Sequence, residues 1–121
     1  MSTCIDQSVG MKYCAFSKEM YLEVLQMYCE CKDEKLEQIR NSYEQENWKS
    51  YVTYVHSLKS TSLSIGGVSL SELALSLEMA GKEYLAGTEE KLDYIKEHTN
   101  ELLDLYVATV EEGLRIVEEG E

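Results

Sequence analysis

Proline is absent from all 121 residues. Average usage of about 5% would supply roughly six, so nothing in this chain removes a backbone N–H or forces a kink, and long helices are unobstructed. Apolar residues at 44% and charged residues at 28% fit a globular chain, and the length suits one domain around one core. Twenty-three acids against eleven bases leave a formal charge of −12. Such a field repels phosphate backbones and anionic lipid, so neither a nucleic acid nor a membrane surface is expected as a partner. An anionic group handled by this chain has to meet a local positive exception.

No apolar run reaches the 18 or more residues of a membrane span, the best (Leu102 to Val110) being interrupted by Asp104. Met1 to Gly10 lacks a basic segment followed by an apolar one, so no secretory signal is expected. The four cysteines (Cys4, Cys14, Cys29 and Cys31) form no Cys-x-x-Cys pair. Residues two apart on a helix point in nearly opposite directions, which disfavours a Cys29–Cys31 bridge. Reduced, mostly buried thiols without a metal are expected, and with them the cytosol.

Glycine punctuates the chain where proline does not. Ser17 caps a helix to about Glu30, with Tyr21, Val24, Leu25 and Tyr28 along one face. A shorter acidic helix follows from Asp33 to Gln45, carrying Leu36, Ile39 and Tyr43. Asn47 caps the next, whose seam is Tyr51, Val55, Leu58, Ser62 and Ile65, and Gly66-Gly67 stops it. Ser69-Leu70-Ser71-Glu72 reads as a capping box opening a helix that ends at Gly87. Thr88 caps a last helix to about Glu118, long enough that its acidic end would overhang or fray. Short loops between long amphipathic helices predict an all-α fold: an up-down antiparallel four-helix bundle with an N-terminal helical extension. The single domain spans residues 1–121, with its core at about 13–118.

One residue does not fit a plain bundle. At 100° per residue, His56 lies about 120–130° from the seam of its own helix, on an outer surface shared with Lys49, Thr53 and Ser60. Lys59 follows one turn on and about 60° round, so its ammonium can approach a group carried on the imidazole. A neutral imidazole is nucleophilic near pH 7, and a neighbouring cation offsets the charge of a phosphoryl group bonded to it. An exposed histidine near a lysine is equally at home on an ordinary solvated surface. His98, between Glu97 and Thr99, has no such surroundings and reads as a surface or boundary residue.

The surrounding pattern is specific. His56-Ser57-Leu58-Lys59-Ser60, then Gly66-Gly67, then Leu70, Leu73, Leu77 and Glu78, closely resembles the histidine-containing phosphotransfer (HPt) domain family. Upstream, Tyr21 to Leu25 and Asn47-Trp48 extend the resemblance, which covers residues from about 13 to 110. It implies a phosphorelay intermediate: His56 accepts a phosphoryl group from an aspartate of one response-regulator receiver domain and passes it to another. It implies Lys59 as the charge that stabilises the phosphoryl group, Ser60 at a position many members fill with glycine, and Lys82 where some members place a basic residue. Glu78 stands where a glutamine often holds the imidazole; its other reading is an i,i+4 ion pair with Lys82. Leu63, within about 20° of His56, joins an apolar docking ring for the receiver or is simply a single exposed leucine.

The resemblance further implies that Mg²⁺ belongs to the receiver and that this chain binds no cofactor. A monomer is expected, with receiver domains, and a hybrid sensor kinase besides, as partners, in the cytoplasm that the reduced thiols indicate. No Gly-rich nucleotide loop is present, so the chain is a carrier rather than a kinase. Two other readings remain at this stage. A sensor-kinase phosphoacceptor bundle would normally carry an acidic residue after the histidine and a proline soon after, where here Ser57 stands and proline is absent. A helical adaptor without phosphotransfer chemistry would need no intact His56, Lys59 and Gly66.

Overall fold

The computed structural model describes residues 4–120, and among them every regular element is helical. In chain order these are α1 (Gln7–Tyr13), α2 (Lys18–Glu30), α3 (Lys32–Glu44), α4 (Trp48–Ser64), α5 (Val68–Leu85) and α6 (Lys91–Gly120). Only Cys31 separates α2 from α3, and the ladder runs through it: Cys31 N–H donates to the Met27 carbonyl and Lys35 N–H to the Cys31 carbonyl. The two therefore form one leg of the bundle, and α4, α5 and α6 supply the other three. α4 packs along α5, α5 along α6, and α6 returns against α2 while α3 lies on α4. The expected four-helix bundle with an N-terminal helical extension is what forms.

The seam positions build the core. Tyr51, Val55 and Leu58 of α4 and Ile65 just past its end meet Leu70, Ala74 and Leu77 of α5 and Ile95, Leu102 and Tyr106 of α6, all fully buried. Buried tyrosines bring hydroxyls that require partners. Tyr51 pairs with Thr99 at 2.7 Å, Tyr28 with Ser62 at 2.8 Å, and Tyr21 donates to the Ile65 carbonyl at 2.9 Å. Burial pushes the Tyr51 hydroxyl up to about 12 despite its hydrogen bond, so these groups remain neutral donors. The Tyr106 hydroxyl alone is buried without a partner among the described residues.

Helix ends follow the sequence in part. The side chains of Ser17 and Asn47 cap α2 and α4, accepting from the N–H groups of Met20 and Ser50. The Ser69 capping box does not form. Gly67 is the N-cap residue of α5, because the Gly66-Gly67 corner turns the chain two residues earlier than a serine cap would. Ser69 thus lies inside the first turn, and the Ser71 hydroxyl donates instead to the Lys59 carbonyl across the α4–α5 contact. Thr88 does not open α6 directly: its carbonyl accepts from Lys91 in a preceding turn. Nor does the end of α6 project free. Val117 is buried, and the helix continues to Gly120, whose missing side chain lets Leu22 approach. Of the thiols, Cys14 and Cys29 are buried and Cys4 half-buried, whereas Cys31 is exposed at the α2–α3 break.

The N-terminal segment is a clamp on the corner after α4. Asp6 N–H donates to the Gly66 carbonyl at 2.8 Å, and Gly10 sits where any side chain would strike Tyr21 and the Ile65 backbone. Gly66 has φ +89°, and a Cβ there would collide with the Asp6 carbonyl. Gly66→Ala is therefore expected to destabilise the fold by about 1–3 kcal/mol, through backbone strain and loss of this clamp. An unchanged urea midpoint would contradict this description of the corner.

Candidate functional site

The middle of α4 carries His56 and the facing middle of α5 carries Glu78. Gly81 allows them to meet. A Cβ at Gly81 would collide with Val52, so its absence brings α5 close enough to α4 for a glutamate to reach the imidazole. Glu78 is the only buried carboxylate among the described residues. Its Oε2 lies 2.7 Å from His56 Nδ1 and 2.9 Å from Lys82 Nζ, and its Oε1 lies 2.8 Å from Lys59 Nζ.

Burial works against a charged Glu78, but hydrogen bonds from Lys59, Lys82 and His56 outweigh it and lower its pKa to about 2. An ionised carboxylate only accepts hydrogen bonds. Nδ1 of the neutral ring must therefore carry the proton, which leaves Nε2 with its lone pair. The approach of Lys59 Nζ to Nδ1, at 3.4 Å, does not reverse that tautomer, because the ammonium has a better acceptor in Oε1. The imidazole side chain is 57% exposed while Glu78 is 3% exposed: the ring is held from beneath and open above.

The structure thus brings His56, Lys59, Glu78 and Lys82 into one cluster around a single carboxylate. Both readings of Glu78 hold together, since it bonds the imidazole and pairs with Lys82. The latter pair is not on a solvated face, because Glu78 is buried. Ser60 is exposed next to His56, with its hydroxyl on the His56 carbonyl at 3.4 Å, and Leu63 is half-buried one turn further on. His98 lies apart on α6, against Tyr94 and 3.1 Å from Glu101, at the boundary position expected of it. Two contributors were not singled out by sequence. Gly81 had one local signal, a glycine in a helix interior, which is worth about 1 kcal/mol less than alanine there unless close packing requires it. Ser71 had none.

The bundle thus holds an exposed imidazole through Nδ1 against a buried carboxylate. The chain belongs to the Hpt domain family, whose model matches residues 23–114, and that membership supports a phosphotransfer role in two-component signalling. Its fold is that of the HPt domain from the Hpt sensor hybrid histidine kinase of Shewanella. The two share 18% identity over 96% of this chain and 95% of that one, with a TM-score of 0.77. No curated protein matches the chain. Among the described residues, no three His, Cys, Asp or Glu side chains gather in a way that would hold a metal ion, and no helix is long and apolar enough to cross a membrane.

Proposed function

We propose that this chain is a cytoplasmic, monomeric phosphorelay intermediate, and that His56 Nε2 is the atom carrying the phosphoryl group. The observation that carries the reading is the 2.7 Å contact between His56 Nδ1 and the buried Glu78, which selects the tautomer with a free Nε2. Nε2 attacks the phosphorus of an aspartyl phosphate on a receiver domain. The Nε2–P bond forms as the P–O bond of the acyl phosphate breaks, and its electron pair leaves with the aspartate carboxylate. The proton stays on Nδ1, so the ring becomes cationic against the Glu78 carboxylate. No proton has to be removed during transfer.

Positive charge from Lys59 and Lys82 offsets that of the incoming group on a chain otherwise at −12. Ser60 and Leu63 form the part of the docking surface beside the histidine, small enough at Ser60 to let a partner loop approach. In this scheme Mg²⁺ resides in the receiver's acidic pocket, and the chain itself takes no cofactor. Incubation with a phosphorylated receiver is expected to move label onto this chain as acid-labile, base-stable phosphate while the receiver loses its own. Absence of label on the chain, with the receiver still active toward another acceptor, would overturn the proposal.

A further inference from the structure

The segment before α2 is attached to the bundle at few points. Within α1 the one buried residue is Gly10, so none of the helix's side chains is fully buried. The anchors flank it instead: Ile5 and Cys14 are 4% and 3% exposed. An open concavity of about 460 Å³, lined in part by Gln7, Met11, Tyr21, Leu22 and Ile116, lies where α1 meets α2 and α6. Sparse apolar contact of this kind is what separates a locally opening segment from a core helix.

Polar latches hold the start of the segment. The Glu112 carboxylate of α6 accepts from Cys4 N–H at 3.0 Å and from Ile5 N–H at 2.9 Å, and Asp6 N–H reaches the Gly66 carbonyl. At the other end the chain enters α2 through Ala15 and Phe16, both left-handed at φ +53° and +61°. Neither is glycine, so each stores strain while the segment is seated. Phe16 is 70% exposed, so no burial of its side chain offsets that strain. The hinge works against the latch.

Two thiols depend on which of them prevails. A Cβ at Gly113 would meet Cys29 Sγ at 3.0 Å and Ile5 Cδ1 at 3.6 Å, so Ile5 sits on the same notch as Cys29 and covers it. Burial raises the Cys29 thiol above its ordinary value, which keeps it protonated and inert while covered. Cys14 lies on the segment itself, turned inward just before the hinge. Cys31 is exposed in the seated state already.

We propose that residues 4–16 form a strap that opens as a unit on the intact four-helix bundle, latched by Glu112 and loaded by the Ala15–Phe16 hinge, and that this opening gates the reactivity of Cys14 and Cys29. Closed, the strap withholds both thiols. Open, it gives both to thiol-reactive species together. His56 lies roughly 13 Å along α4 from the corner at Ile65, so the imidazole and Glu78 stay assembled when the strap lifts. The gate does not rest on the phosphocarrier reading.

The test adds iodoacetamide to the full chain in a urea series below the unfolding transition, and mass spectrometry reads alkylation at each cysteine. Cys31 is expected to react first. Cys14 and Cys29 should react slowly, with one shared urea dependence much shallower than that of global unfolding. Glu112→Gln leaves one of the two N–H groups without an acceptor oxygen and should speed both thiols by about tenfold. Ala15→Gly relieves the hinge and should slow both by about threefold. The urea slope of global unfolding at either thiol, reaction of either as fast as Cys31, or rates that neither variant changes would each overturn the strap. So would a variant that moves one thiol and leaves the other.

Discussion

His56→Gln is expected to reduce phosphoryl incorporation from a phosphorylated receiver to background. Glutamine has no nucleophilic nitrogen, and no second histidine in the chain is placed to replace it. His98, the other one, is engaged by Glu101 and Tyr94. The fold should hold, because an exposed substitution usually changes stability by less than about 0.5 kcal/mol, and a glutamine side chain can still donate toward Glu78. The comparison to make is incorporation by His56→Gln and by His98→Gln, beside their thermal melts. Full incorporation by the first variant, or loss with the second, would remove His56 from the role.

Glu78 should produce the second-largest effect, and two substitutions separate its duties. Glu78→Leu removes the Nδ1 acceptor and leaves two ammonium groups without their shared carboxylate. Transfer is expected to slow by about tenfold to a hundredfold, as when an imidazole loses the partner that fixes its orientation. Stability should fall by about 1–3 kcal/mol. Glu78→Gln keeps an acceptor for Nδ1–H and should retain more of the transfer rate than leucine does. It also removes a titration. The folded pKa of Glu78 lies at about 2, below the ordinary 4.5, so its stabilising contribution is complete above the unfolded value and is lost as pH falls from about 4.5 toward 2. Denaturant melts across that window should fall more steeply for the native chain than for Glu78→Gln. Equal pH profiles would mean that Glu78 is not held ionised by its three partners, and equal transfer rates for leucine and glutamine would mean that it does not orient the ring.

Much of the fold is legible because it rests on local periodicity. Spacing of three and four places Tyr51, Val55, Leu58, Ser62 and Ile65 on one face, and all five are buried. The same wheel puts His56 outside that face, where it is found. The helix N-terminus at Val68 was not legible, because the serine pattern at Ser69 is a good cap only if the chain is still extended there, and the Gly66-Gly67 corner has already turned it. The clamp of Asp6 and Gly10 on that corner joins residues more than fifty positions apart, and local pattern says nothing about which distant backbone presses on a glycine.

For the site, the wheel gives the face of each helix but not which faces meet. His56 and Glu78 are 22 residues apart, and their hydrogen bond depends on a close helix approach allowed by Gly81. Family resemblance supplied the pairing that periodicity could not. The split of Lys59 and Lys82 between the two oxygens of Glu78 was beyond both, since it is a matter of side-chain rotamers on the assembled surface.

The central claim is that Nε2 of His56 carries the phosphoryl group, and ¹⁵N–³¹P coupling in the uniformly ¹⁵N-labelled chain after incubation with a phosphorylated receiver tests it at the atom concerned. The account predicts one ³¹P resonance coupled to His56 Nε2, with Nδ1 still protonated against Glu78. Coupling to Nδ1, coupling to His98, or a phosphorus that couples to no nitrogen and is released by hydroxylamine would contradict it.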